Sequence, residues 1–209
     1  MIPAKPFYMI RHGETKANKA FIIAGQTETP LTDKGREQAS LVQPQALALE
    51  IKPSAIIHSN LSRARDTAAI LNEALNIPMH EEPNFAELFA GDQEGAPYSE
   101  CMGFLNGFET PINGESFEAF FERIKIAMTD ALERYDTPVL ITCHGGVFRA
   151  LGGIYNLKVT KVVDNCCLCE FQPNTEKSPF PWDVYSYDYD ETQNRVIRTR
   201  ETLYDDAND

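Results

Sequence analysis

The chain reads as an α/β protein: a three-layer sandwich with a mostly parallel central sheet flanked by helices, extended by a C-terminal β-hairpin. Three observations lead there. Strand-like and helix-like patterns alternate over most of the length. The runs 7–10, 55–58 and 139–142 are short and continuously apolar, as strands covered on both faces are. After residue 166 the pattern turns to β, and 183–189 and 195–202 flank Thr192-Gln193-Asn194 as a hairpin.

Taken in order, the strand 7–10 ends at Arg11-His12-Gly13, where glycine breaks the run and leaves His12 at its carboxyl end. A polar loop, 14–30, precedes a helix capped by Thr32 or Asp33 that runs through Glu37, Ala39 and Leu41 until Pro44 kinks or ends it. The strand 55–58 leads into a helix over 62–75, with Ala64, Ala68, Ile70, Leu71 and Leu75 near helical spacing. Residues 89–115 are aperiodic and rich in Gly, Pro and aromatics, and read as a long functional loop or lid. Tyr98, Phe104 and Phe108 are expected to line or cover one side of a site, with hinges at Gly103 and Gly107; packing under a loop is the equal alternative. Ser116 opens a helix with Phe117, Phe120, Phe121, Ile124, Met128 and Leu132 on one stripe. The strand 139–142 is followed by Cys143-His144-Gly145-Gly146, a short helix over 147–155, and a strand over 166–171. Residues 205–209 are expected to form a frayed acidic tail. With no internal repeat or compositional break, one domain over 1–209 is expected.

Composition removes several function classes. A net charge of -12 argues against a nucleic-acid partner, whose phosphates call for clustered Lys and Arg. It also makes any phosphate site a positive hole in a negative surface. No run approaches the roughly 20 apolar residues of a membrane span, and no basic-then-apolar leader opens the chain. No membrane contact and cytoplasmic residence are therefore expected. Five cysteines without a leader make a disulfide framework improbable, and Cys166, Cys167 and Cys169 lack the paired spacing of a zinc site. No metal is assigned, and Asp188-x-Asp190 lacks the rest of a calcium loop.

His12 and His144 share a context, since each follows a short apolar strand and precedes glycine. Parallel strands of one sheet bring both to the carboxyl edge, where ligand crevices of open α/β sheets form. Ser59-Asn60-Leu61-Ser62-Arg63-Ala64 is a third strand-to-helix junction. Together the junctions deliver two imidazoles and two guanidiniums, Arg11 and Arg63, to one rim. Guanidinium forks match the paired oxygens of a phosphoryl group, and helix N-termini add N–H donors. Singly, each residue has a plainer reading: a core histidine, a solvated helix arginine, a turn-capping Asn18, a solvated loop carboxylate at Glu87.

The run 11–15, Asn18, residues 25–28 and Pro30-Leu31-Thr32 resemble the opening of the histidine phosphatase superfamily, which includes the cofactor-dependent phosphoglycerate mutases. The resemblance continues through residues 59–64, Glu87-Leu88, residues 91–95, Gly114-Glu115-Ser116 and His144-Gly145-Gly146, in the family's order. It implies that His12 is a nucleophile that forms a phosphohistidine which water then hydrolyses. It implies that Arg11, Arg63 and His144 hold the phosphoryl oxygens, and that Glu87 is the general acid and base. Asn18, Gly25, Gln26, Thr27 and Gly145 fall at substrate-contacting positions. No cofactor and no metal are implied, because the guanidiniums supply the positive charge; the partner is a small phosphorylated metabolite or a phosphoprotein. Ala86, Gln93 and Glu28 stand where the family commonly has arginine, tryptophan and aspartate.

Three rivals remain. Residues 143–149 satisfy C-x5-R between a strand and a helix, which would make Cys143 the nucleophile. A phosphoglycerate mutase would need to grip a highly anionic substrate, yet residues 89–115 contain no Lys or Arg. A non-catalytic phosphoryl-binding module would keep the pocket without turnover.

Overall fold

In a computed structural model the chain is described at residues 1–101, 103, 109–190 and 192–206. The strands in chain order are Phe7–Arg11 (β1), Ile56–His58 (β2), Met79–Glu81 (β3), Leu140–Cys143 (β4), Leu157–Val159 (β5), Leu168–Pro173 (β6), Trp182–Asp190 (β7), Arg195–Glu201 (β8) and Tyr204–Asp206 (β9). The helices are Lys16–Ala20 (α1), Asp33–Leu41 (α2), Gln43–Ala48 (α3), Ser62–Leu75 (α4), Phe117–Arg134 (α5) and Gly145–Ile154 (α6). One seven-stranded sheet runs β3-β2-β4-β1-β6-β7-β8. The four strands β3, β2, β4 and β1 are parallel, and β6, β7 and β8 continue the sheet antiparallel, the last two as the hairpin.

The apolar strands have to be apolar because both faces of this sheet are covered. Side chains alternate across a strand. Phe7 and Met9 therefore join Ile141, Phe171 and the inner faces of α5 and α6, while Tyr8 and Ile10 join Ile56, Leu140 and helices α2, α3 and α4. Side-chain caps start α2 and α5: Thr32 Oγ1 accepts the Gly35 N–H at 3.0 Å and Ser116 Oγ accepts the Ala119 N–H at 3.2 Å. Pro44 does not kink a helix. It lies in the first turn of α3, where a missing N–H leaves no bond unmade.

The acidic tail is corrected in part. Tyr204–Asp206 pairs with Leu157–Val159 in a two-stranded sheet, with Asp205 opposite Lys158. Apolar anchoring overrides the acidic composition: Leu203 is buried, the Tyr204 ring lies 4.9 Å from that of Phe180, and its hydroxyl donates to the Phe148 carbonyl at 3.0 Å. Residues 207–209 lie outside the described residues, as do Phe104, Gly107 and Phe108 of the expected lid. Among the described residues no helix is long and apolar enough to cross a membrane.

The Phe171 ring stacks on Phe7 with centroids 4.5 Å apart and is fully buried. Phe171→Ala is expected to destabilise the fold by about 3–5 kcal/mol, read as a lower urea midpoint at unchanged slope. A loss below about 1 kcal/mol would show that this cluster collapses around the cavity.

Candidate active site

Three adjacent parallel strands end at the same height. β2 releases Ser59, β4 releases His144 and β1 releases His12, and the junctions are pinned by Ser59 N–H to the Thr142 carbonyl (3.1 Å) and His12 N–H to the Cys143 carbonyl (3.0 Å). The imidazole centroids of His12 and His144 stand 5.1 Å apart.

Neighbouring atoms determine both tautomers. His12 Nδ1 lies 2.8 Å from the Gly13 carbonyl oxygen, which can only accept, so Nδ1 carries the proton and Nε2 keeps its lone pair. In His144 the roles reverse: Nδ1 accepts from Arg63 Nε at 3.3 Å, and Nε2 donates to Ser59 Oγ at 2.8 Å. Burial, followed by the Arg63 and Arg11 charges, holds His12 well below the usual imidazole range. His144 is depressed likewise, by burial first and then by Arg63. Both rings are neutral where a nucleophile must be.

The cations are placed without carboxylate partners in contact. Arg63 is 1% exposed and donates to the carbonyls of Gly25 (2.6 Å) and Thr27 (3.0 Å) as well as to His144. Arg11 donates to the Val163 carbonyl at 2.7 Å, while its buried Nε has no acceptor among the described residues. A buried donor left over in a cavity wall suits an anionic oxygen.

Glu87 is held at the start of α6. Oε1 accepts the Leu88 N–H at 2.9 Å and Oε2 accepts the Gly146 N–H at 3.0 Å. A Cβ on Gly146 would stand 1.8 Å from Oε1, so only glycine admits the carboxylate here. Its backbone is clamped by Arg123, which donates to the carbonyls of Asn84, Ala86 and Glu87 at 2.7–2.9 Å and ion-pairs with Glu115.

Of the expected substrate contacts, Asn18, Gly25 and Gly145 line the cavity together with Arg11, His12, Arg63, Glu87 and Tyr98. Asn18 also closes the α1 capping box with Thr15, the plainer reading of that residue. Gln26 and Thr27 support from behind: Gln26 Nε2 donates to the Glu87 carbonyl at 3.0 Å, and the Thr27 carbonyl holds Arg63. Gly25, at φ +52, makes the turn that presents these groups; a Cβ there would meet Glu94 Oε1 at 2.1 Å. The sequence reading missed Ser59 as a partner of His144, Arg123 as a clamp, and Asn165, whose Nδ2 donates to the His12 carbonyl at 2.8 Å. Only Ser59 and Glu115 lay within recognisable motifs. Glu28 accepts the Ser62 N–H at 3.2 Å and the Ser62 hydroxyl, so its longer side chain caps α4.

Two rival arguments change. Cys143 is fully buried inside β4, and burial pushes its thiol far up, with Glu87 adding to the effect. A thiolate nucleophile is not on offer. The absence of cations from residues 89–115 does not make the leaving-group side uncharged, because Arg149, Lys158 and Lys161 reach the cavity from α6 and the segment after it. Among the described residues, no three His, Cys, Asp or Glu side chains are grouped to hold a metal ion.

This fold and this rim of two imidazoles, two guanidiniums and a glycine-admitted carboxylate are those of a histidine phosphatase. The chain belongs to the histidine phosphatase superfamily, branch 1, whose model matches residues 7–180. It is 33% identical over 158 residues to the adenosylcobalamin/alpha-ribazole phosphatase of Salmonella typhimurium, covering 69% of this chain and 76% of that one. It is also 33% identical over 156 residues to the metal-independent phosphoserine phosphatase of Arabidopsis thaliana, covering 68% and 65%. The alpha-ribazole phosphatase from Shigella flexneri has the same fold, with a TM-score of 0.67 at 25% identity over 96% of both chains.

Two outcomes follow from this geometry. Gly146→Ala displaces the Glu87 carboxylate and is expected to lower kcat on p-nitrophenyl phosphate by about 10²-fold or more while the melting temperature holds. Wild-type turnover would show that the carboxylate's seat is irrelevant. The depressed histidines also link stability to pH. The unfolded chain binds their protons near 6.5 and the fold does not, so stability present above about pH 6.5 is lost as pH falls, by about 1.4 kcal/mol per unit per histidine. Urea unfolding between pH 6.5 and 5.5 should give a slope that His12→Gln makes shallower by about three quarters of a proton; equal slopes would mean His12 titrates normally in the fold.

Proposed function

We propose that the chain is a metal-independent phosphomonoester hydrolase that works through a phosphohistidine on His12. The observation that carries this reading is the Nδ1–H to Gly13 carbonyl bond, which leaves Nε2 of a neutral, buried imidazole as the nucleophile beside two guanidiniums. The Nε2 lone pair forms the N–P bond as the P–O bond to the leaving group breaks, and Glu87 in its acid form gives that oxygen its proton. Water then attacks phosphorus, its proton passes to Glu87, the N–P bond breaks and inorganic phosphate leaves.

Arg11 and Arg63 hold the phosphoryl oxygens through both steps and offset the charge that a metal ion supplies elsewhere. His144 backs them from behind: its Nδ1 accepts the Arg63 Nε–H and its Nε2–H is held by Ser59, which fixes the orientation of the guanidinium. The name of the Arabidopsis relative supports a route without metal, and the relatives' names support a small phosphorylated metabolite as the substrate. Hydrolysis is preferred over mutase transfer because phosphatase names head both the sequence and the structural relatives.

Rapid quench with radiolabelled substrate is expected to trap a phosphoenzyme that is labile to acid and stable to alkali. His12→Ala should abolish the label and lower kcat at least about a thousand-fold, whereas Cys143→Ser keeps near wild-type activity. An acid-stable label, or loss of turnover in Cys143→Ser with His12→Ala active, overturns the reading.

A further inference from the structure

The phosphoryl corner occupies a small part of a cavity of about 850 Å³. Cavities of roughly 300–1,000 Å³ hold ligands of drug size, far larger than a phosphate. Beyond the phosphoryl-binding groups, the lining includes the apolar side chains of Leu88, Phe117, Phe120, Phe148 and Val159. At the mouth stand two residues that a chain minimising its own free energy would not leave there. Phe21 is 70% exposed and Val162 is 77% exposed. Phe21 is unfavourable on two counts, because its ring forgoes burial and its backbone sits at φ 55, a left-handed conformation that bulky side chains rarely adopt.

That conformation is held from both sides. The Phe21 N–H donates to the Asn18 carbonyl at 3.1 Å, and the Phe21 carbonyl accepts the Tyr98 N–H at 2.9 Å. A strained, exposed aromatic fixed over a cavity beside the nucleophile is a reason to look for a ligand.

We infer that the outer chamber is a leaving-group subsite for phosphomonoesters of a bulky alcohol that carries an aromatic ring, with Phe21 and Val162 flanking the ring at the mouth. The inference rests on the catalytic reading above and names the substrate class for it. Charge narrows the class further. The Arg149 guanidinium stacks over the Phe117 ring at 4.8 Å, and Lys158 shares the lining. The ring is therefore neutral or anionic, since a cationic one would be repelled. The apolar walls give a short polyhydroxylated leaving group little to bind.

The test compares kcat/KM for 3-phenylpropyl phosphate and n-propyl phosphate, whose leaving alcohols differ little in basicity. The phenyl ester is expected to be favoured at least about tenfold, the scale of one well-filled apolar contact. Phe21→Asn tolerates the left-handed backbone, so folding is retained and its melting temperature should not fall. It is expected to cut the preference at least threefold. 3-(1-Pyridinio)propyl phosphate, similar in size but positively charged, should fall below the phenyl ester. A wild-type ratio near one overturns the subsite. Equal losses on both esters in Phe21→Asn overturn the role of Phe21, and a pyridinium ester as good as the phenyl one overturns the charge assignment. Failure of the catalytic reading looks different: p-nitrophenyl phosphate is not turned over and no acid-labile label forms, which would remove the subsite with it.

Discussion

A guanidinium buried without a carboxylate in contact is the costly feature around which this site is built. Taking a charge out of water is unfavourable unless hydrogen bonds replace its hydration. Arg63 meets that demand with two backbone carbonyls and one imidazole nitrogen, all neutral acceptors. Three of its five N–H groups are engaged, and no carboxylate among the described residues contacts it to cancel its charge. Burial is the first cause that depresses His12 and His144, and the surplus field of Arg63 adds to it. That field also attracts an anion, so the charge that helps keep the imidazoles neutral favours a phosphoryl group beside them.

The remaining parts hold this arrangement in register. The turn at Gly25 delivers two carbonyls to Arg63 and, one residue on, places Gln26 against the backbone of Glu87. Glu94 fastens that turn by accepting the Gln26 N–H at 2.7 Å and the Thr27 hydroxyl. On the other side, Arg123 ties the loop carbonyls of Asn84, Ala86 and Glu87 to α5, with Glu115 as its counter-ion. Glu87 and Arg63 thus share supports, and a shift in either loop moves both.

Much of this was legible in the sequence. His12, His144 and Arg63 each follow an apolar strand that can only be central, so sheet geometry alone brings them to one edge. The three-residue strands β3 and β5 were not legible, because Met79–Glu81 and Leu157–Val159 are too short to show a period and form only by pairing with distant partners. Asn165 and Arg123 were missed for a related reason. Each acts through backbone carbonyls far away in sequence, and a carbonyl has no residue type to recognise. Gln26 and Thr27 were legible as site residues by resemblance, but only the fold reveals that they grip Arg63 and Glu87 from behind.

Charge raises a last question, since a chain of net charge -12 handles an anionic substrate. At physiological salt, exposed charges more than about 8 Å away are largely screened, whereas the pocket cations sit close to the ligand in a water-poor wall. Arg11 and Arg63 therefore govern what the phosphoryl group feels once it has entered, and the distant acidic surface mainly slows its approach. Arg149, Lys158 and Lys161 add to the positive lining, so the pocket rather than the net charge of the chain sets the local attraction for an anion.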